Sequence, residues 1–370
     1  MINLALILVG AGIAEGIARI AGHTPTSVDP ALAMEMGVGQ RAFGRAYPRG
    51  YFVANDDHGF DIKPNFPPTP FNFQAEHMEI FSNGYGCLDR NTTITSPYVM
   101  VLGDSFAWGY AAYESKWGTQ LEQLIGTTVA KCGVTHSGQK HELAKGKAVA
   151  AAIGAPPRLV VVSYYVNDPI DDLLYPQATV IEGYLTDQIR LVDGKVVKLE
   201  RAELEKRYHA WVTGDPSGAN PDMPKERPGL LRQNSVVVSL FTRLARDAAD
   251  RRSRGAVDAL AVTANLEGID ALKAWTDSIG ARLLFLMIPP VALKHVYYAP
   301  VMAHLDEKKI DYLDLYPPFK THADASEKFY YASDAHLTPE GNRYAGALLA
   351  DEVKRRYPDL VNLSPAREKP

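Results

Sequence analysis

The chain has 370 residues, 46% of them hydrophobic, enough to bury a full core in one large domain or two modest ones. Its 39 basic and 43 acidic residues give a formal net charge of -4, and no Lys/Arg stripe with interleaved aromatics runs through it, which argues against a nucleic-acid partner. The two cysteines, Cys87 and Cys132, make no metal-ligand spacing and at most one disulfide, and the sequence leaves open whether they pair.

In chain order, Leu4 to Ile20 is apolar and rich in small residues, with Glu15 and Arg19 as its charges. Residues 1–22 therefore read as an N-terminal membrane anchor, with a cleaved signal or an ordinary buried helix as alternatives. An anchor or a signal puts the remainder outside the cytoplasm, in the periplasm or beyond the cell. Residues 23–97 read as an irregular lead-in that packs on the core, Pro-rich from Lys63 to Pro70. Short alternating pieces around Gly50 to Ile62 and His77 to Phe81 suggest edge strands, and Ser82-Asn83-Gly84-Tyr85-Gly86 is a turn signal. Asp56, Asp57 and His58 read as a solvated loop, since no second cluster completes a metal site.

Val99 to Leu102 is a short apolar run typical of a strand buried on both faces, and Gly103-Asp104-Ser105 ends it abruptly. Ser105 thus stands at a strand's carboxyl end, as a helix N-cap or as a nucleophile. Trp117 to Ile125 has helical spacing and Thr127 to Lys131 reads as a second strand. It leads into the glycine-bearing turn Gly133 to Gly138, whose backbone N–H groups are suited to facing a developing oxyanion. A helix from about His141 to Ile153 precedes the strand Leu159 to Tyr165, which ends in Val166-Asn167-Asp168. Asn167 is there a side-chain amide donor or a turn-forming cap.

Residues 171–234 interrupt the rhythm as a surface insertion. It contains a hairpin at 189–199 with an Asp193-Gly194 turn, a charged run Glu200 to Arg207 and a Pro/Gly-rich stretch Asp215 to Gly229. Following a strand's carboxyl end, it is placed to lie over a site as a lid and to set specificity. Helical patterns at Ser235 to Asp250 and Ala256 to Ile279, a strand Arg282 to Ile288, a helix near Val296 to Lys309 and a strand Asp311 to Leu315 follow. Five strands separated mostly by helices predict an α/β doubly wound parallel sheet. Near the end, Asp334-Ala335-His336 precedes a helix start at Thr338-Pro339-Glu340, with the helix running to about Arg356 and residues 361–370 as a tail.

A serine hydroxyl needs a neutral imidazole to take its proton, and a carboxylate on the other ring nitrogen fixes the tautomer. Gly103-Asp104-Ser105, the Gly133 to Gly138 turn, Val166-Asn167-Asp168 and Asp334-Ala335-His336 occur in that order, and the ordered set resembles the SGNH (GDSL-type) hydrolase family. The resemblance runs over a domain of about residues 98–360, broken by the insertion. It implies a flavodoxin-like five-stranded sheet, Ser105 as nucleophile, His336 as base and Asp334 as its orienting carboxylate. It further implies an oxyanion hole from the backbone N–H groups of Ser105, His136 and Gly138 and from the Asn167 side chain, with no metal and no organic cofactor. The Asp-x-His spacing is closer to the branch that includes alginate O-acetylation proteins. His136 stands where the family usually has a glycine, and its larger side chain is expected to narrow the pocket.

Three readings follow for function. The first is an extracytoplasmic serine esterase removing O-acyl groups, acetyl above all, from a carbohydrate, with the membrane as a partner through the N-terminal segment. The second is a polysaccharide O-acetyltransferase using the same residues. The third is a catalytically silent, membrane-tethered binding or assembly subunit.

Overall fold

The computed structural model describes residues 47–74, 76–192, 195–213, 235–290, 298–322, 328–331 and 334–363, with a few positions between 12 and 20. Most of the expected anchor lies outside the described residues, and among those residues no helix is long and apolar enough to cross a membrane. The chain divides into one unit of residues 1–46 and 191–257 and another of residues 47–190 and 258–370.

The larger unit opens with two antiparallel hairpins, β1 (Phe52–Asn55) with β2 (Gly59–Ile62) and β3 (Thr69–Phe73) with β4 (Glu76–Ile80). The sequence reading made these pieces edge strands; they instead form separate two-stranded sheets. Their alternation is real, but the buried positions Phe52, Phe60, Phe71 and Met78 face an aromatic core with Tyr47, Tyr51, Trp108 and Tyr110 rather than the main sheet. A disulfide between Cys87 and Cys132 closes a sequence separation of 45 residues and ties this lead-in to the α/β core.

The main sheet contains β5 (Val99–Leu102), β6 (Val129–Lys131), β7 (Leu159–Tyr164), β12 (Arg282–Met287) and β13 (Asp311–Asp314), in the spatial order β13-β12-β7-β5-β6. All neighbouring pairs are parallel, so helices must carry each crossover. In core-strand order this is the 2-1-3-4-5 arrangement of flavodoxin-like folds, as expected. Strand β5 shows why both faces are covered. Val99 and Val101 pack with Trp117, Leu121, Leu349 and Val353 on one side, whereas Met100 and Leu102 pack with Val149, Ile269, Leu272 and Trp275 on the other.

Between β7 and β12 the chain forms the hairpin β8 (Ala178–Ile181) and β9 (Tyr184–Asp187). It packs on the lead-in, with the Gly50 N–H donating to the Gly183 carbonyl at 2.8 Å and Arg49 Nε donating to that of Glu182 at 2.8 Å. This part of the expected lid is therefore a brace for β1 and β2. Further along the chain, β11 (Lys195–Lys198) pairs with β10 (Ile189–Val192), as the alternation predicts, and the charged run forms a helix, Arg201–Thr213. The Pro/Gly-rich stretch lies outside the described residues apart from its flanks. The two helices expected at 235–250 and 256–279 are one, Val236–Ser278, because no proline interrupts the gap and a lone interior glycine weakens a helix by only about 1 kcal/mol.

Candidate active site

The order of the sheet reverses between β5 and β7, and ligand sites of open α/β sheets lie outside the strands' carboxyl ends at such a reversal. Ser105 follows β5 and Asn167 follows β7. Gly103 makes the exit possible. Its φ of +137° is a left-handed-side conformation, and a Cβ there would lie 2.0 Å from Ser163 Oγ on the neighbouring strand. Asp104 then caps the short helix Ser105–Trp108 by accepting from the Phe106 N–H at 2.9 Å. The cap belongs to Asp104, which leaves the Ser105 hydroxyl free for other work.

That hydroxyl donates to His336 Nε2 at 2.7 Å. On the other side of the ring, His336 Nδ1 donates to Asp334 Oδ1, and the same carboxylate oxygen accepts from the His336 backbone N–H at 2.9 Å. The turn that holds the pair is closed by the Tyr331 N–H donating to the His336 carbonyl at 3.1 Å and by the Asp334 N–H donating to that of Tyr331 at 3.2 Å. Thr338 caps the following helix Pro339–Arg356, accepting from the Gly341 N–H at 3.1 Å. Residues 231 positions apart thus share one hydrogen-bonded line of hydroxyl, imidazole and carboxylate.

Asn167 comes to the same place. Its Nδ2 donates to Asp104 Oδ2 at 3.1 Å, and that oxygen also lies 3.4 Å from Ser105 Oγ. The second Nδ2 hydrogen goes to Asp171 Oδ2 at 2.7 Å. Among the described residues no hydrogen bond engages the Ser105 N–H, at the exposed start of its helix. The Gly133 to Gly138 turn is split between two neighbours. Gly133 backs onto the Ser105 helix, where a Cβ would meet Ala107 Cβ and Trp108 N at 2.5 Å, while one on Gly138 would meet Asp172 Oδ1 at 2.6 Å. Among the described residues no hydrogen bond joins His136 or Gly138 to Ser105. His136 has a φ of +59°, which explains why a glycine suits the position, and its side chain is exposed.

Several residues of the site carry no local sequence signal. The His336 ring lies 4.4 Å from that of Tyr110, 4.9 Å from that of Phe106 and 6.0 Å from that of Phe73, centre to centre. Phe73 comes from the β3–β4 hairpin and covers Tyr110 at 4.0 Å, with Tyr331 5.2 Å away. The lead-in therefore supplies part of the wall beside the His336 ring. Lys116, buried, donates to the carbonyls of Trp108 and Gly109 at the end of the Ser105 helix and lies 4.6 Å over the Trp108 ring. Burial lowers its pKa to about 7. Behind Ser105 the carboxyls of Asp104, Glu142, Asp168 and Asp171 are all pushed up, by burial first; Asp172, for the same reason, reaches about 7. Asp56 and Asp57 are exposed, but His58 is buried against His141, contrary to the expected solvated loop. Among the described residues no group of three or more His, Cys, Asp or Glu side chains is arranged to hold a metal ion.

Residues 280–369, which include Asp334 and His336, match the family model described as the SGNH hydrolase-like domain of the acetyltransferase AlgX. The match agrees with the branch suggested by the Asp-x-His spacing. Solved structures similar to this chain include a lipolytic protein of the G-D-S-L family from Desulfitobacterium hafniense (14% identity, 69% of this chain and 99% of that one, TM-score 0.39). Others are a lipase/acylhydrolase from Enterococcus faecalis (12%, 70% and 96%, 0.38) and an acetylxylan esterase from Geobacillus stearothermophilus (11%, 70% and 94%, 0.37). No curated protein matches the chain.

Proposed function

We propose that the protein is a serine esterase that removes O-acyl groups, acetyl above all, from a carbohydrate. The observation that carries the reading is the Ser105–His336–Asp334 line, with Oγ already 2.7 Å from Nε2. In this mechanism His336 takes the hydroxyl proton as Oγ attacks the ester carbonyl, and Asp334 stabilises the imidazolium that forms. The N–H of Ser105 and the amide of Asn167 receive the oxyanion. His336 then gives its proton to the departing alcohol oxygen, leaving an acyl-serine. Water, deprotonated by the same imidazole, releases the acid and restores the hydroxyl. The rings of Phe73, Tyr110 and Tyr331 give the site an apolar wall of the kind that holds one face of a sugar or its acetyl group.

The match to the model of an acetyltransferase favours a second reading, in which a sugar hydroxyl replaces water in the last step. Location belongs to the proposal as well. A disulfide between Cys87 and Cys132 suits an oxidising compartment, and with an anchor at Leu4 to Ile20 it supports a membrane-tethered domain in the periplasm or outside the cell.

A fluorophosphonate probe should label the purified protein at Ser105, and Ser105→Ala should abolish both labelling and hydrolysis of acyl esters. An unlabelled serine with unchanged turnover in the variant would leave a binding or assembly role instead. Acetate release from acetylated oligosaccharides, measured with and without a competing sugar acceptor, separates the esterase from the transferase. Acetyl transfer to the acceptor in place of acetate selects the second reading.

A further inference from the structure

We infer that Asp171 is a positioning residue for Asn167, fixing which end of that amide faces the oxyanion; this rests on the acyl-transfer reading of Ser105. Asn167 caps the helix Asp168–Leu173, whose first turn closes on it through the N–H groups of Ile170 and Asp171 donating to its carbonyl at 2.9 and 3.1 Å. Asp171 is four residues on and therefore on the same face. Its Oδ2 takes one hydrogen of the Asn167 amide at 2.7 Å, and Asp104 Oδ2 takes the other at 3.1 Å.

An asparagine side chain has two nearly isosteric ends, one donating and one only accepting. An oxyanion hole works only if the donor end points to the reaction. With the carbonyl end turned that way, two partial negative charges meet and the intermediate is destabilised. Asp104 cannot hold the amide during turnover, because the hydrogen it accepts is the one beside Ser105 and is needed by the oxyanion. Asp171 lies on the far hydrogen and can keep its bond throughout. An acceptor at that position admits the NH2 end and rejects the carbonyl end, so the amide stays correctly turned while its other hydrogen moves from Asp104 to the oxyanion.

The test is a double-mutant cycle on the full-length protein with a small acetyl ester. Asn167→Ala should lower kcat by about 10²–10³-fold. Asp171→Ala should lower it by roughly ten-fold or more with KM little changed, as expected for an interaction made only in the transition state. Asp171→Asn keeps an acceptor oxygen but adds an NH2 end that also accommodates the Asn167 carbonyl, so it should recover only part of the loss. Combining Asp171→Ala with Asn167→Ala should cost no more than Asn167→Ala alone, because the positioned group is gone. A multiplicative loss in the double variant, or an Asp171→Ala enzyme with wild-type kcat, overturns the assignment. Failure of Ser105→Ala to abolish turnover would instead remove the acyl-enzyme reading, so the two failures are distinguishable.

Discussion

Two groups of buried charges in this protein are built in opposite ways. Where the lead-in meets the core, each buried lysine has its own carboxylates. Lys145 donates to both oxygens of Asp61, at 2.7 and 2.8 Å, and to the carbonyls of Tyr85 and Gly86, while Lys131 bridges Asp89 and Glu122 at 3.0 and 2.9 Å. Burial would push Asp61 up, but Lys145 pulls it down; burial would lower Lys131, and Asp89 with Glu122 hold it up. Behind Ser105, five carboxyls are crowded together and shifted the other way. Among the described residues Glu142 Oε2 and Asp168 Oδ1 even lack a hydrogen-bond partner. The first group satisfies its charges and joins two parts of the fold. The second stores an electrostatic cost next to the candidate site, and active sites are where such costs are tolerated.

The contrast predicts different failures. Lys145→Met leaves Asp61 buried without its cation, and should cost about 3–5 kcal/mol in denaturant unfolding while leaving turnover per folded molecule unchanged. A loss under about 1 kcal/mol would mean that the paired group is not a structural joint. Replacing Cys87 and Cys132 with serine opens the same junction covalently. The loop between them spans a sequence separation of 45 residues, and the cost should be about 2–4 kcal/mol, read as a lower denaturation midpoint matched by wild-type protein in reductant.

What the sequence made legible follows the same division. The central core strands are legible because a strand buried on both faces is a continuous apolar run, as Leu159 to Tyr164 shows, whereas the half-buried edge strand Asp311–Asp314 follows only from the strand–helix rhythm. Ser105 and Asn167 are singled out in the sequence because each stands just past a strand's end, and Asp334 and His336 because they stand just before a helix start, with turn chemistry around each. The lead-in was opaque for a physical reason. Its strands satisfy themselves pairwise and bury aromatics against Trp108 and Tyr110, contacts that no local period encodes. Phe73 reaches His336 from more than 250 residues away in sequence, so nothing near it announces a site. Asp171 was within reach, since a helix from Asp168 puts it on the face of Asn167, but it was read only as the start of an insertion. The disulfide was undecided because two cysteines on separate elements give no geometry until the fold brings them together.

The smaller predictions concern pH and use the difference between variants, because several groups titrate together. The Asp172 carboxyl has a pKa of about 7, so between about pH 4 and 7 the folded protein keeps a proton that the unfolded chain has lost. Its contribution therefore weakens as pH rises. Asp172→Asn imitates the protonated form, and its stability relative to wild type should improve from pH 5 to pH 8 by on the order of 1 kcal/mol or more. His141, lowered by burial to about 4, pulls the wild-type curve the other way over pH 4 to 6.5, which is why the raw profile is not the readout. Lys116 reverses the sign in the next window. With a pKa of about 7 when folded, it has released a proton that the unfolded chain still holds from about pH 7 to 10, so its contribution grows with pH. Lys116→Met should remove that rise, gaining on wild type as the solution is taken from pH 9 to pH 7; the bonds it gives up to the Trp108 and Gly109 carbonyls lower its stability at both pH values and drop out of the difference. Lys116 then sharpens the comparison: it is a buried lysine at the end of the Ser105 helix whose pKa is lowered by burial, without the carboxylates that hold Lys131 up. A flat difference between Lys116→Met and wild type from pH 7 to 9 would show instead that this lysine is charged and compensated, as Lys131 and Lys145 are.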